Sequence, residues 1–244
     1  MIRPALLAAL AASLLAGCAS DGPSARGNRL DLGGPRDRDA PSANPSAVIA
    51  AELAFARLAQ EKGQWTAFLE TSTGDAVMFV PQAVGAHQWL RQQANPAQAV
   101  KWQPHQVWSS CDGTLAVTKG AWQRPGGTTG YFTTVWTRQR DGDYKWVLDQ
   151  GDVLEQPLAA PELIDGKVAE CTRPPADGRE RYRFRPAAIR PMACEGTACR
   201  GGGTSADGTL SYEYQVAGQG RQLTVQMREN SEMSEVLRSE VAAQ

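Results

Sequence analysis

The chain has 244 residues, 25 basic and 26 acidic, with 42% apolar and 7% aromatic side chains. That length buries a real core in one or two domains, and the balanced charge excludes a polyanion binder driven by bulk electrostatics, so no nucleic-acid partner is expected. Seven Trp and 24 Gly fit a packed, turn-rich globule, while two His without repeated Cys/His spacing give no metal site.

Arg3 precedes an apolar run from Ala5 to Ala16, too short for a bilayer anchor and matched to the core of a secretory signal. The run ends in Leu15-Ala16-Gly17-Cys18, which resembles a bacterial lipobox. That resemblance implies removal of residues 1–17 and lipidation of Cys18, which anchors the chain to a membrane. With Ala19 and Ser20 after the Cys and no Asp there, it implies a periplasm-facing protein of the outer rather than the inner membrane. The rest of 18–45 is rich in Gly, Pro, Arg and Asp and reads as a flexible tether, because it buries too little surface to offset its ordering entropy.

All seven Trp lie between Trp65 and Trp146, which sets one domain over 46–157 apart from an extension over 158–244. Ser46 reads as the cap of a helix to Lys62 that ends at Gly63, with Ile49, Leu53 and Ala56 at the centre of its apolar stripe. A helical turn over Trp65–Glu70, a strand over Ala76–Pro81 and a helix over Ala86–Gln93 follow. Then come four strands, Lys101–Cys111, Thr114–Arg124, Thr128–Arg140 and Tyr144–Leu154, each closed by turn residues such as Asp112-Gly113. Antiparallel connections of this length make a curved meander with helices on one face, an α+β class.

Trp65-Thr66-Ala67-Phe68, Asp75-Ala76-Val77-Met78-Phe79-Val80-Pro81, Gly130-Tyr131-Phe132-Thr133-Thr134-Val135-Trp136 and Asp141-Gly142-Asp143-Tyr144-Lys145-Trp146-Val147 occur in that order. Together with the element order they resemble the nuclear transport factor 2-like cone, in the SnoaL-like branch that includes the domain of unknown function 4440. The resemblance covers less than half of the chain. It implies an architecture that hosts isomerases, cyclases, hydratases and non-catalytic binders, and a homodimer through the outer face of the sheet. The ketosteroid isomerase relatives pair a Tyr with an Asp; here every Tyr lies at 131 or beyond, so no catalytic residue carries over.

In the extension, Leu210, Tyr212, Tyr214 and Val216 alternate with polar residues, and Leu223, Val225 and Met227 repeat the pattern after Gly218-Gln219-Gly220. That is a half-buried hairpin whose apolar face needs the first domain or a partner; Met233–Val241 extends it as a third strand, although Met233, Val236, Leu237 and Val241 also fit helical spacing. Four thiols remain beside Cys18. In an exported chain they favour disulfides, of which Cys194–Cys199 and Cys111–Cys171 are the preferred pairs among three connectivities.

Candidate chemistry is sparse, and no cofactor fingerprint is present. Gly201-Gly202-Gly203 reads as a flexible turn, and His87 and His105 as ordinary polar residues. Asp149 shares a strand face with Val147. It either caps a turn near Gly151, or lines the cone with a raised pKa suited to a base. Asp75 and Asp152 read as ordinary turn residues. Trp102, Trp108, Trp122 and Trp136, with Tyr131, either fill the core or wall a pocket for an apolar ligand. Arg181, Arg183 and Arg185 give a basic edge strand. Three functions follow in order of preference: a non-catalytic binder of a small apolar molecule or a protein, an assembly protein acting through the extension, and a cyclase or isomerase using Asp149.

Overall fold

The structure is a computed structural model that describes residues 42–171, 184–218 and 220–242. The signal segment, Cys18, most of the tether and the residues Arg181 to Arg183 lie outside the described residues.

Helix α1 (Pro45–Lys62) is capped by Asn44, whose Oδ1 accepts from Ala47 N at 3.0 Å, with Pro45 at the first position. Ser46, the expected cap, is already inside the helix. The buried row is Val48, Glu52, Phe55 and Ala59, and Leu53, expected at the centre of the stripe, is exposed. Gly63 ends α1 at φ +99°, and a side chain there would collide with Asn95. The Asn95 Oδ1 accepts from Trp65 N at 2.8 Å and Thr66 N at 3.2 Å, so it caps helix α2 (Gln64–Thr71) from thirty residues away. Helix α3 (Ala86–Leu90) is shorter than the expected Ala86–Gln93.

Seven strands form the first sheet: β1 (Ser72–Phe79), β2 (Ala83–Gly85), β3 (Lys101–Ser109), β4 (Leu115–Gln123), β5 (Thr129–Arg138), β6 (Tyr144–Leu154) and β7 (Asp165–Val168). Their order is β2-β1-β6-β5-β4-β3-β7. The meander β3 to β6 is antiparallel as expected, but the whole sheet is mixed, because β1 runs parallel to β6 and β7 parallel to β3. Both parallel pairs are joined through long connections, as such pairing requires. A second, antiparallel sheet comprises β8 (Ala188–Glu195), β9 (Ala198–Thr204), β10 (Leu210–Ala217), β11 (Gly220–Glu229) and β12 (Glu232–Val241), in the order β12-β11-β10-β9-β8. The fold is α+β.

Gly201, Gly202 and Gly203 lie inside β9 and are not a flexible turn. A side chain at Gly201 or Gly203 would strike the ring of Tyr214 or Tyr212 on the neighbouring strand. Glycine there makes room for two buried tyrosines.

The two faces of the first sheet carry separate cores. On one face Val48, Phe55, Met78, Leu90, Trp136 and Trp146 pack between helices and sheet. On the other, Val77, Trp108, Val117, Val135 and Leu148 pack against Tyr212, Val225 and Leu237 of the second sheet. The extension therefore covers the outer face of the first sheet, and each of its buried large side chains contributes about 1.5–3 kcal/mol of transfer free energy. The Cys111–Cys171 disulfide ties the β3–β4 turn to the segment that follows β7, and Cys194–Cys199 closes the β8–β9 hairpin. These are the two pairs expected from the sequence.

Candidate functional site

Between the helices and the first sheet lies a cavity of about 500 Å³. Phe55, Trp65 and Phe68 of α1 and α2 form one wall, and Met78, Trp102 and Phe132 of the sheet form another. The rings meet edge to face, Phe55 to Phe68 at 4.7 Å and Trp65 to Trp89 at 5.2 Å, an arrangement that fixes the wall's shape.

Asp149 enters this cavity because of a one-residue irregularity. Strands β5 and β6 pair Val135 with Leu148 but Trp136 with Trp146, leaving Val147 as an extra residue. Strict alternation puts Asp149 on the face of Val147, as the sequence implies. The bulge separates them: Val147 packs towards the second sheet, while Asp149 lines the cavity. The Thr134 hydroxyl donates to Asp149 Oδ2 at 2.8 Å. Asp149 is half-buried, and it lines the cavity. Enclosure pushes its carboxyl up to about 8, and the nearby charge of Glu52 adds to the rise.

Glu52 is the second acidic group, fully buried on α1. Its Oε1 accepts from Trp102 Nε1 at 2.8 Å, and its Oε2 from Thr118 Oγ1 at 2.6 Å and Trp136 Nε1 at 3.1 Å. Among the described residues no cation pairs with it. Burial raises its pKa to about 6, a rise limited by the three donors. Both carboxyls are thus raised, Asp149 further than Glu52, and in its protonated form Asp149 presents an O–H donor to the cavity. Sequence reading missed Glu52. The available signal was an acidic residue four positions after Val48 and three before Phe55, in the middle of the apolar row of α1.

The aromatic candidates separate. Trp102 and Trp122 line the cavity, as do the unsuspected Trp65 and Trp89. Trp136 is buried, its indole spent on Glu52 and Thr118. Trp108 lies on the opposite face, in the core between the sheets. Tyr131 also points that way, its hydroxyl 2.7 Å from Ser239 Oγ of β12. Among the other acids, Asp152 sits at the cavity mouth, while Asp75 lies elsewhere and accepts from Thr73 Oγ1 at 2.8 Å. His87 is on α3, its ring 2.9 Å from Ser72 Oγ of β1, and His105 is half-buried on β3. Among the described residues no cluster of His, Cys, Asp and Glu has metal-binding geometry.

No protein-family model matches the chain, and no curated protein matches it. Among solved structures, a provisionally named ketosteroid isomerase of Parabacteroides distasonis is similar at 16% identity and a TM-score of 0.37, over 47% of this chain and 96% of that one. A provisionally named aromatic ring hydroxylase of Novosphingobium aromaticivorans aligns at 16% identity and a TM-score of 0.34, over 47% and 91%. A protein of unknown function with a cystatin-like fold from Methylobium petroleophilum aligns at 11% identity and a TM-score of 0.36, over 56% and 100%.

Proposed function

We propose that this chain is a lipid-anchored envelope protein whose nuclear transport factor 2-like cone binds a small, flat, largely apolar molecule. The observation that carries the reading is the open aromatic cavity of about 500 Å³ with one inward carboxyl, Asp149, on its wall. Apolar walls with a few convergent polar groups are the usual make-up of a small-molecule site. In its protonated form Asp149 donates a hydrogen bond to a ligand carbonyl or hydroxyl. Two disulfides support an oxidising compartment, and the sequence up to Cys18 supports anchoring at the periplasmic face of a membrane.

The test is a fluorescence titration with the neutral aromatic probe N-phenyl-1-naphthylamine. Wild-type protein is expected to bind one equivalent saturably, and Val153→Trp, an exposed substitution at the cavity mouth, to weaken binding about tenfold by blocking entry. The absence of saturable binding, or a Val153→Trp titration identical to wild type, contradicts the reading.

A second reading is proton transfer by Asp149, favoured by its elevated pKa in a cavity-facing position. An isomerase or cyclase activity abolished by Asp149→Asn supports it, and an activity that survives that substitution removes Asp149 from the chemistry.

A further inference from the structure

We infer that the cone's ligand carries an anionic group, a carboxylate, sulfonate or phosphate, on its apolar body, and that Arg221 of the second sheet receives it. This rests on the reading that the cavity binds a small molecule.

On β11 the inward positions are Arg221, Leu223, Val225 and Met227. The last three fill the core between the sheets, and Arg221 takes the same face at the strand's beginning, where the second sheet reaches the cavity. The residue is 9% exposed. Its guanidinium is held in place: Nη2 donates to Gly151 O at 2.6 Å, Nε donates to Gln150 Oε1 at 3.5 Å, and the Phe79 ring lies 5.8 Å from Cζ. Gln150 is itself fixed by donating to Ser239 Oγ at 3.1 Å.

Those two bonds use neutral acceptors, and a guanidinium has about five N–H donors. Among the described residues no carboxylate lies within ion-pair distance of Arg221. A buried cation without a counter-charge is costly unless something else supplies that charge. Phe79, Gly151, Gln150 and Arg221 all line the cavity, so the open place for an anion is inside it. Arg124, stacked on Trp122 with Cζ 5.1 Å from the ring, adds a second cation at the mouth. Two carboxyl groups line the same cavity, Asp152 beside these cations and Asp149 on the wall, and neither forms an ion pair with Arg221. The extension thereby completes the site as well as covering the sheet.

The experiment compares two probes of one shape, neutral N-phenyl-1-naphthylamine and anionic 1-anilinonaphthalene-8-sulfonate, on the full mature chain. Wild type is expected to bind both in a manner blocked by Val153→Trp. Arg221→Gln is expected to weaken the anion about tenfold and to leave the neutral probe within about twofold, with Arg221→Lys restoring most of the difference. The neutral probe also reports whether each variant has folded. Independently of any variant, raising ionic strength weakens the anion and spares the neutral probe. If the neutral probe binds and the anion does not, or if Arg221→Gln affects both alike or neither, the inference fails while the cavity reading stands. If the neutral probe does not bind wild type, the cavity reading fails and the inference with it.

Discussion

Asp112 and Asp207 exchange hydrogen bonds reciprocally: Asp112 N donates to Asp207 Oδ2 at 2.8 Å, and Asp207 N donates to Asp112 Oδ2 at 2.9 Å. Each belongs to a copy of one turn, Ser110-Cys111-Asp112-Gly113-Thr114-Leu115 and Ser205-Ala206-Asp207-Gly208-Thr209-Leu210, 95 residues apart. In both copies the Ser and Thr hydroxyls donate to the Asp Oδ1. Cys111 N donates to Thr209 Oγ1 and Ala206 N to Thr114 Oγ1, so the contact has an approximate two-fold axis. This is the geometry of a self-complementary dimer contact, built within one chain.

Breaking the lock on one side leaves donors unpaired on both sheets. Asp112→Ala and Asp207→Ala are each expected to lower unfolding free energy by about 2 kcal/mol, and the double variant by less than their sum, by about 1 kcal/mol. Urea unfolding of the four proteins checks it.

Glu52→Ala removes the shared acceptor of two indoles and one hydroxyl. It is expected to cost about 3 kcal/mol in urea unfolding and to red-shift tryptophan emission, since Trp102 and Trp136 lose their anchor.

The pH dependence of stability follows from both acids. Asp149 has a folded pKa of about 8 against an ordinary 3.8, and Glu52 about 6 against 4.5. Between the two values of each group the folded state binds the extra proton. Their contribution is therefore complete below the lower value and is lost as pH rises through the upper one. Asp149→Asn removes the larger penalty and keeps an acceptor for Thr134. Its melting temperature should exceed wild type by roughly 5 °C at pH 8 and converge with it near pH 4.

The Cys111–Cys171 bridge closes a 60-residue loop. Cys111→Ser with Cys171→Ser is expected to cost about 4 kcal/mol. Breaking the local Cys194–Cys199 pair, which spans 5 residues, should cost less. Thermal unfolding of each pair variant distinguishes them.

With the outer face of its first sheet covered by β8 to β12, a chain produced without residues 1–18 is expected to sediment as a monomer. A concentration-independent dimer mass would overturn this.

Much of the two sheets was legible because their strands end in strong turn residues and their strand patterns have a period of two. Strand Thr129–Arg138 and the hairpin Leu210–Glu229 are examples. What escaped depends on single residues whose effect is non-local. One bulge residue, Val147, reverses the facing of Asp149. Asn95 caps a helix distant in sequence. Strand β9 was hidden because its glycines carry no side-chain pattern; they matter through the tyrosines across the ladder. The repeated Ser-x-Asp-Gly-Thr-Leu turn was readable as text, but its meaning lies in the pairing of the two copies. Arg221 carried no functional signal in the sequence, and only the packing of the two sheets places it at the cavity.

A crystal structure of the mature chain soaked with N-phenyl-1-naphthylamine tests the central claim most directly. Probe density among Trp102, Trp122 and Phe132, with its amine within hydrogen-bond distance of Asp149, is the expected result. A cone packed solid with its own side chains, or probe density confined to the outer surface, would contradict it.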